Sequence, residues 1–275
     1  MKSFRAAAPK TFAFFAAAFA VSAVSLPARS IVIRHDAKAD AYIVADDHYK
    51  PLADLPGEGH GVLISDRWVV TAAHATQGPE PIASVTIGGK SRAVAGVTVH
   101  PGFKPPPSGM TGDAAPVMAI LLAMDDIALI LLAEPVTDVE PAQLYRGDGE
   151  AGEVAEILGK GASGDGVIGQ RRDDPRRGPL RRAFNRIESA EGRWLTYRFD
   201  QGDEGLPLEG MLGNGDSGGP VLIRDQDGGK LAGLASWKWW TGDIADFKAG
   251  HYGQVSYQTR LSHYADWVES VIGGH

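Results

Sequence analysis

Apolar positions along this chain fall mostly in short runs. IVIRHD, YIVAD, HGVLIS, RWVVTAA, ASVTIGG and AVAGVTVH each alternate or cluster over a few residues between Gly, Pro and Asp, as strands do. DIALILLAEPV is a longer buried strand closed by Pro135. The second half repeats the style in EVAEILGKG, RWLTYRFD, PVLIRD, LAGLASWKWW and GQVSYQT. Only the end changes period: SHYADWVESVI sets Tyr264, Trp267, Val268 and Val271 at helical spacing, with Ser262 as the expected N-cap. Strands at regular spacing without helices between them predict antiparallel barrels or sandwiches, not βαβ units. Two stretches read as loops: HPGFKPPPSGMTGDAAP (100–116), and GQRRDDPRRGPLRR (169–182) as a solvated, arginine-rich surface loop. EPAQLYRGDGEAGE, near 140–150, reads as a link between two halves, and AAPVMAILLAMDDIALILL reads as core because two aspartates interrupt it.

The first residues follow a different pattern. Lys2, Arg5 and Lys10 precede or flank the apolar TFAFFAAAFAVSAV, and AVSLPA ends in small residues. That is the layout of a secretory signal peptide over residues 1–28, cut after Ala23 or Ala28, and its apolar run is short for a membrane span. Export to a secreted or periplasmic location follows, with no stable membrane insertion after the cut. The formal net charge is −7. Removing those three cations makes it −10, which argues against nucleic acid as a partner. There is no cysteine. Disulfides, a thiol nucleophile and thiolate metal sites are therefore excluded, and burial with hydrogen bonding must hold the fold.

The candidate chemistry sits in three places. GNGDSGGPVLI surrounds Ser217 with glycines, residues kept where backbone must turn unusually or be approached closely. A serine hydroxyl is a poor nucleophile and needs a base, itself oriented by an acid. TAAH puts His74 just beyond a strand, and MDDIALILL puts Asp126 at the mouth of an apolar strand, where a carboxylate needs a cationic or hydrogen-bonding partner.

TAAH, DDIALILL and GDSGGP, in that order, resemble the three signature blocks of the chymotrypsin-like (trypsin-fold) serine proteases. Positions 74, 126 and 217 lie 52 and 91 residues apart, which suits that family's layout. The resemblance implies an all-β fold of two antiparallel six-stranded β-barrels with a C-terminal α-helix: residues 31–145 for the first barrel, 146–275 for the second and the helix. It implies a monomeric serine endopeptidase acting on protein or peptide substrates, with no cofactor and no metal. Ser217 would attack, His74 would carry the proton, Asp126 would orient His74, and the backbone amides of Gly215 and Ser217 would form the oxyanion hole. Gly218 and Gly219 would let the chain turn into PVLI. Asp216 would be buried and paired with either a freed Ile31 terminus or another donor; the usual glycines after Ile-Val are replaced by Ile33 and Arg34.

The departures bear on specificity. The cystine that often flanks the histidine falls on Gly59 and Ala75, so close packing is expected in its place. The specificity pocket is expected from Met211, Ser236, Trp237, Lys238 and Ser256. Met211 stands where trypsin-like members carry Asp, so cleavage after Arg or Lys is not expected. The pocket reads as suited either to a small or apolar side chain against Met211 or to an acidic one against Lys238. His35, His48, His60, His100, His251, His263 and His275 show no metal-ligand spacing and read as surface or loop residues. Two other classes fit less well. G-x-S-x-G also occurs in α/β-hydrolase esterases, but a loop precedes Ser217 and a β-prone run follows it. A protease fold kept as a binding module is the other, in which case Ser217 would not react.

Overall fold

The computed structural model describes residues 31–171, 177–225 and 228–274. The proposed signal peptide and its cleavage sites lie outside the described residues. So does part of the arginine-rich loop.

The chain enters through β1 (Val32–Ile33) and then builds a closed barrel. Its strands are β2 (Leu52–Asp54), β3 (His60–Leu63), β4 (Trp68–Thr71), β5 (Ser84–Ile87) and β6 (Lys90–Val99). Helix α1 (Ala115–Ala123) intervenes before β7 (Ala128–Leu132) closes the barrel in the order β2-β3-β4-β7-β6-β5. All these pairings are antiparallel.

The second half contains β8 (Val154–Gly159), β9 (Gly164–Asp165), β10 (Gly169–Gln170), β11 (Arg181–Arg186) and β12 (Ser189–Glu191). It continues through β13 (Trp194–Arg198), β14 (Gly210–Met211), β15 (Pro220–Asp225), β16 (Gly228–Lys238) and β17 (Val255–Arg260). Seven of these form one sheet, β11-β8-β15-β16-β17-β13-β12, a half-barrel against the closed one. Helix α2 (Ala265–Gly273) ends the fold. The all-β, two-barrel architecture is as the resemblance implied. β1 crosses to the second half, pairing antiparallel with β14 and parallel with β9.

Strand alternation explains why successive positions of β4 up to Val70, and every position of β7, are apolar. Val69 and Ile130 fill the closed barrel with Leu63, Ile87 and Leu132. Their neighbours Trp68, Val70 and Leu129 point the other way, into a core shared with Leu158, Leu222, Leu234 and Val268 of the second half. Val69 and Val70 are both fully buried. Each such side chain contributes about 1.5–3 kcal/mol on burial, so a charge at Val70 would split the halves.

Three readings of the sequence are corrected. The Ala- and Leu-rich run before Asp126 is not core: Ala115–Ala123 is a helix with only Met118 buried and Leu122 37% exposed. Ala, Leu and Met favour helix, and Pro116 suits a first turn, so the run leaves the barrel as a helix on the surface. Ser262 does not cap α2; it lies in a 3-10 turn (Leu261–Tyr264) and donates to Glu150 Oε1 at 2.6 Å. Glu150 is fully buried, and the Arg260 fork at 2.8 Å supplies its other partners, so the carboxylate's need for donors outweighs capping. The described arginines from 177 on are not a freely solvated surface: Arg181 is 1% exposed, and the part-buried Arg177 holds Asp54 at 2.7 Å and the Leu55 carbonyl at 2.6 Å.

Candidate active site

The first barrel supplies the histidine and the aspartate. β4 ends at Thr71, and a 3-10 turn (Ala73–Thr76) carries His74 away from the barrel rim. Asp126 precedes β7 and is fully buried. Its Oδ1 accepts the His74 backbone N–H at 2.8 Å, and its Oδ2 lies 2.7 Å from His74 Nδ1. The Ser236 hydroxyl donates to the same Oδ2, and Thr259 Oγ1 donates to the Asp126 carbonyl at 2.8 Å. The second half brings Ser217 across the cleft, its Oγ 2.7 Å from His74 Nε2. Hydroxyl, imidazole and carboxylate are thus linked in sequence.

Burial alone would lift the Asp126 pKa. The His74 charge outweighs it, with donated bonds from His74 and Ser236, and holds the carboxyl below its ordinary range. Burial likewise opposes a charged His74, and Lys238 opposes it further, yet Asp126 prevails and raises the imidazole above its ordinary value. The arrangement is able to take a proton from Ser217 and hold it beside a carboxylate.

The turn before Ser217 is built from donors left free and one acid held fast. Gly215 adopts φ 87°, a conformation that favours glycine. Its carbonyl accepts from Gly59 N at 3.1 Å and that of Ser217 from His60 N at 2.7 Å, which pins the loop to the first barrel. The amides of Gly215 and Ser217 donate to nothing among the described residues. Asp216 is fully buried and accepts from Gly161 N at 2.7 Å and Gly213 N at 2.8 Å. His60 Nε2 stands 3.9 Å from it. Desolvation raises the Asp216 carboxyl above its usual range, against the pull of His60, the two amides and Lys238. So of the alternatives read from the sequence, the donors to Asp216 here are amides of its own turn and its neighbour. Ile31 is buried in the core that holds Met211 and Leu212, with φ 60°.

Gly218 has φ 71°, and a Cβ there would meet the His60 carbonyl at 2.2 Å and Thr71 Oγ1 at 2.3 Å. Gly219 N closes the turn onto the Asp216 carbonyl at 2.8 Å. A Cβ at Gly59 would stand 3.5 Å from that of Ala75, so the two small residues do pack closely.

Of the expected pocket residues, Met211 is fully buried, Ser256 is 3% exposed and Trp237 8%. Ser236 touches Asp126 rather than facing the pocket alone, and Lys238 stands opposite Ser256 in the β16–β17 ladder. Trp237 stacks on Tyr257, ring centroids 3.9 Å apart.

Reading the sequence missed His60, taken as a surface or loop residue but 1% exposed between Asp54 and Asp216. It also missed Gly161 and Gly213 as donors. The pair Gly159 and Gly161 carried the trace: a Cβ at Gly159 would lie 2.1 Å from Asp216 Oδ1. Among the described residues, no group of three or more His, Asp or Glu side chains is placed to hold a metal.

A serine, a histidine and an aspartate joined across the cleft of two β-barrel halves define a serine-protease type of hydrolase. The chain belongs to the trypsin family, whose sequence model matches residues 53–268. It is 28% identical over 211 residues to trypsin of Saccharopolyspora erythraea, covering 71% of this chain and 81% of that one. It is 26% identical over 238 residues to vitamin K-dependent protein C of Mus musculus, and of Rattus norvegicus, covering 78% of this chain and 46% of each relative. The chain therefore spans about half the length of those two relatives.

Proposed function

We propose that the protein is a secreted serine endopeptidase that hydrolyses peptide bonds through an acyl-enzyme on Ser217. The observation that carries this reading is the unbroken link Ser217 Oγ to His74 Nε2 to Asp126, 2.7 Å at each step. In the resting state Ser217 O–H donates to His74 Nε2, and His74 Nδ1–H donates to Asp126, a tautomer assigned from the network. Ser217 Oγ attacks the substrate carbonyl as its proton passes to Nε2. Asp126 stabilises the imidazolium, and the amides of Gly215 and Ser217 receive the oxyanion. Each such donor is worth about 3–4 kcal/mol in the transition state. His74 gives the proton to the leaving amine, and water repeats the sequence to release Ser217. The substrates are proteins or peptides, met outside the cytoplasm after removal of a signal peptide cut after Ala23 or Ala28, by a monomer.

Reaction with a fluorophosphonate tests the nucleophile directly. The expected result is covalent labelling of the wild type, lost in Ser217→Ala and slowed strongly in His74→Ala. A folded wild type that never labels would overturn the reading and leave a protease-fold binding module.

A further inference from the structure

Three adjacent strands lay Tyr197, Ser256 and Lys238 in one row. Tyr197 on β13 opposes Ser256 on β17, and Ser256 opposes Lys238 on β16. Directly opposed residues share a face of the sheet. The next row, Thr196, Tyr257 and Trp237, lies on the other face, where the Trp237 and Tyr257 rings stack 11° from parallel. The Tyr197 side chain instead joins the core that contains Met211 and Leu212, the residues leading into the Ser217 turn. The Lys238 charge acts on both Asp216 and His74, which couples this row electrostatically to the Ser217 site.

What this row holds is polar. Tyr197 and Gln258 are fully buried, and Tyr197 Oη and Gln258 Oε1 have no partner of hydrogen-bonding geometry among the described residues. Ser256 Oγ accepts from Gln258 Nε2 at 2.7 Å, and the Ser256 hydroxyl and the Leu212 backbone both act on the Tyr197 hydroxyl. No carboxylate among the described residues pairs with Lys238; Asp216, which acts on it, already accepts two amides. A part-buried ammonium with no carboxylate partner is a costly arrangement without an anion. Met211, at the position expected for the pocket floor, is apolar and supplies none.

We propose that the pocket beside Ser217 selects Asp or Glu on the acyl side of the scissile bond, with the Lys238 ammonium as ion-pair partner and the Tyr197 and Ser256 hydroxyls as supporting donors. This selectivity rests on the reading of the chain as a Ser217 endopeptidase. Of the two pocket chemistries open from the sequence, it takes the acidic one.

The test compares kcat/KM for fluorogenic peptides identical except for Glu, Gln, Leu or Arg before the cleaved bond, with fluorophosphonate labelling run alongside. The Glu-to-Gln ratio, read within one enzyme, is independent of the fraction that folds. The expected ratio is about tenfold or more for the wild type, falling close to one in Lys238→Met and several-fold in Tyr197→Phe. A labelled enzyme that prefers Leu or Arg, or a ratio unmoved in both variants, would overturn the selectivity and leave the endopeptidase intact. A wild type that neither labels nor cleaves would overturn both.

Discussion

The Ser236 hydroxyl and His74 Nδ1 meet on a single oxygen, Oδ2 of Asp126. That oxygen therefore has two donors and no exposure to water, which fixes the carboxylate plane and through it the imidazole. Ser236→Ala leaves a buried charge short of one donor, a loss of about 1–3 kcal/mol in stability. The expected outcome is a denaturant midpoint lowered by that amount and a kcat/KM reduced several-fold, with the fold retained by circular dichroism.

The His74–Asp126 pair sets a pH window. His74 is raised above its ordinary 6.5, so its contribution to stability is complete below 6.5 and fades as pH rises through the folded value. Asp126 is lowered below its ordinary 3.8, so its contribution is complete above 3.8 and fades as pH falls through its folded value. Wild type should exceed Asp126→Asn in melting temperature most between those two ordinary values. In kcat/KM, activity should rise with pH through a His74 pKa above the ordinary one. Asp126→Asn should move that limb to lower pH and cut kcat on the order of 10⁴-fold, as for other Ser-His-Asp hydrolases.

Asp216 draws its hydrogen bonds from Gly161 and Gly213. Two amides thus already give the Asp216 carboxylate hydrogen-bond partners besides any ammonium at Ile31. A form in which Ser30 still precedes Ile31 should label with fluorophosphonate at a rate within about twofold of a form beginning at Ile31, since no interaction with a charged terminus is then lost. Asp216→Ala should slow labelling by about 10²–10³-fold, because the Gly215 and Ser217 amides lose their fixed aim.

Gly218→Ala should be severe. The added carbon meets the His60 carbonyl at 2.2 Å, and the backbone φ of 71° already disfavours a side chain. A loss above about 3 kcal/mol in urea unfolding is expected, together with loss of labelling.

Burial pushes the Lys238 ammonium down to about 8, against the pull of Asp216. His74 and Tyr197 are the other titratable groups near its row, and Tyr197 is pushed above its ordinary range by desolvation. The Glu-to-Gln preference should be largest below pH about 8 and fall as pH rises through that value. A pH profile of the ratio checks this, because kcat/KM reports the free enzyme.

Much of this protein was legible before any coordinates. Strand periodicity is a local property, so an antiparallel β class could be read from the letters; TAAH, DDIALILL and GDSGGP carry the resemblance that implies two barrels and points to Ser217, His74 and Asp126. His60, Gly161 and Gly213 could not, because their task is set by a carboxylate 55 positions from Gly161 in the chain, and nothing in GKG names it. Hydropathy misled at Ala115–Ala123, where an apolar run left the barrel as a helix, and capping preference misled at Ser262, where a buried Glu150 claimed the hydroxyl. The Tyr197, Ser256 and Lys238 row is the clearest case: three residues from three strands become neighbours through ladder register alone. Sequence determines which groups exist and which turns are possible; register and burial decide which of them meet away from water, and that meeting is what gives each its charge and its partner.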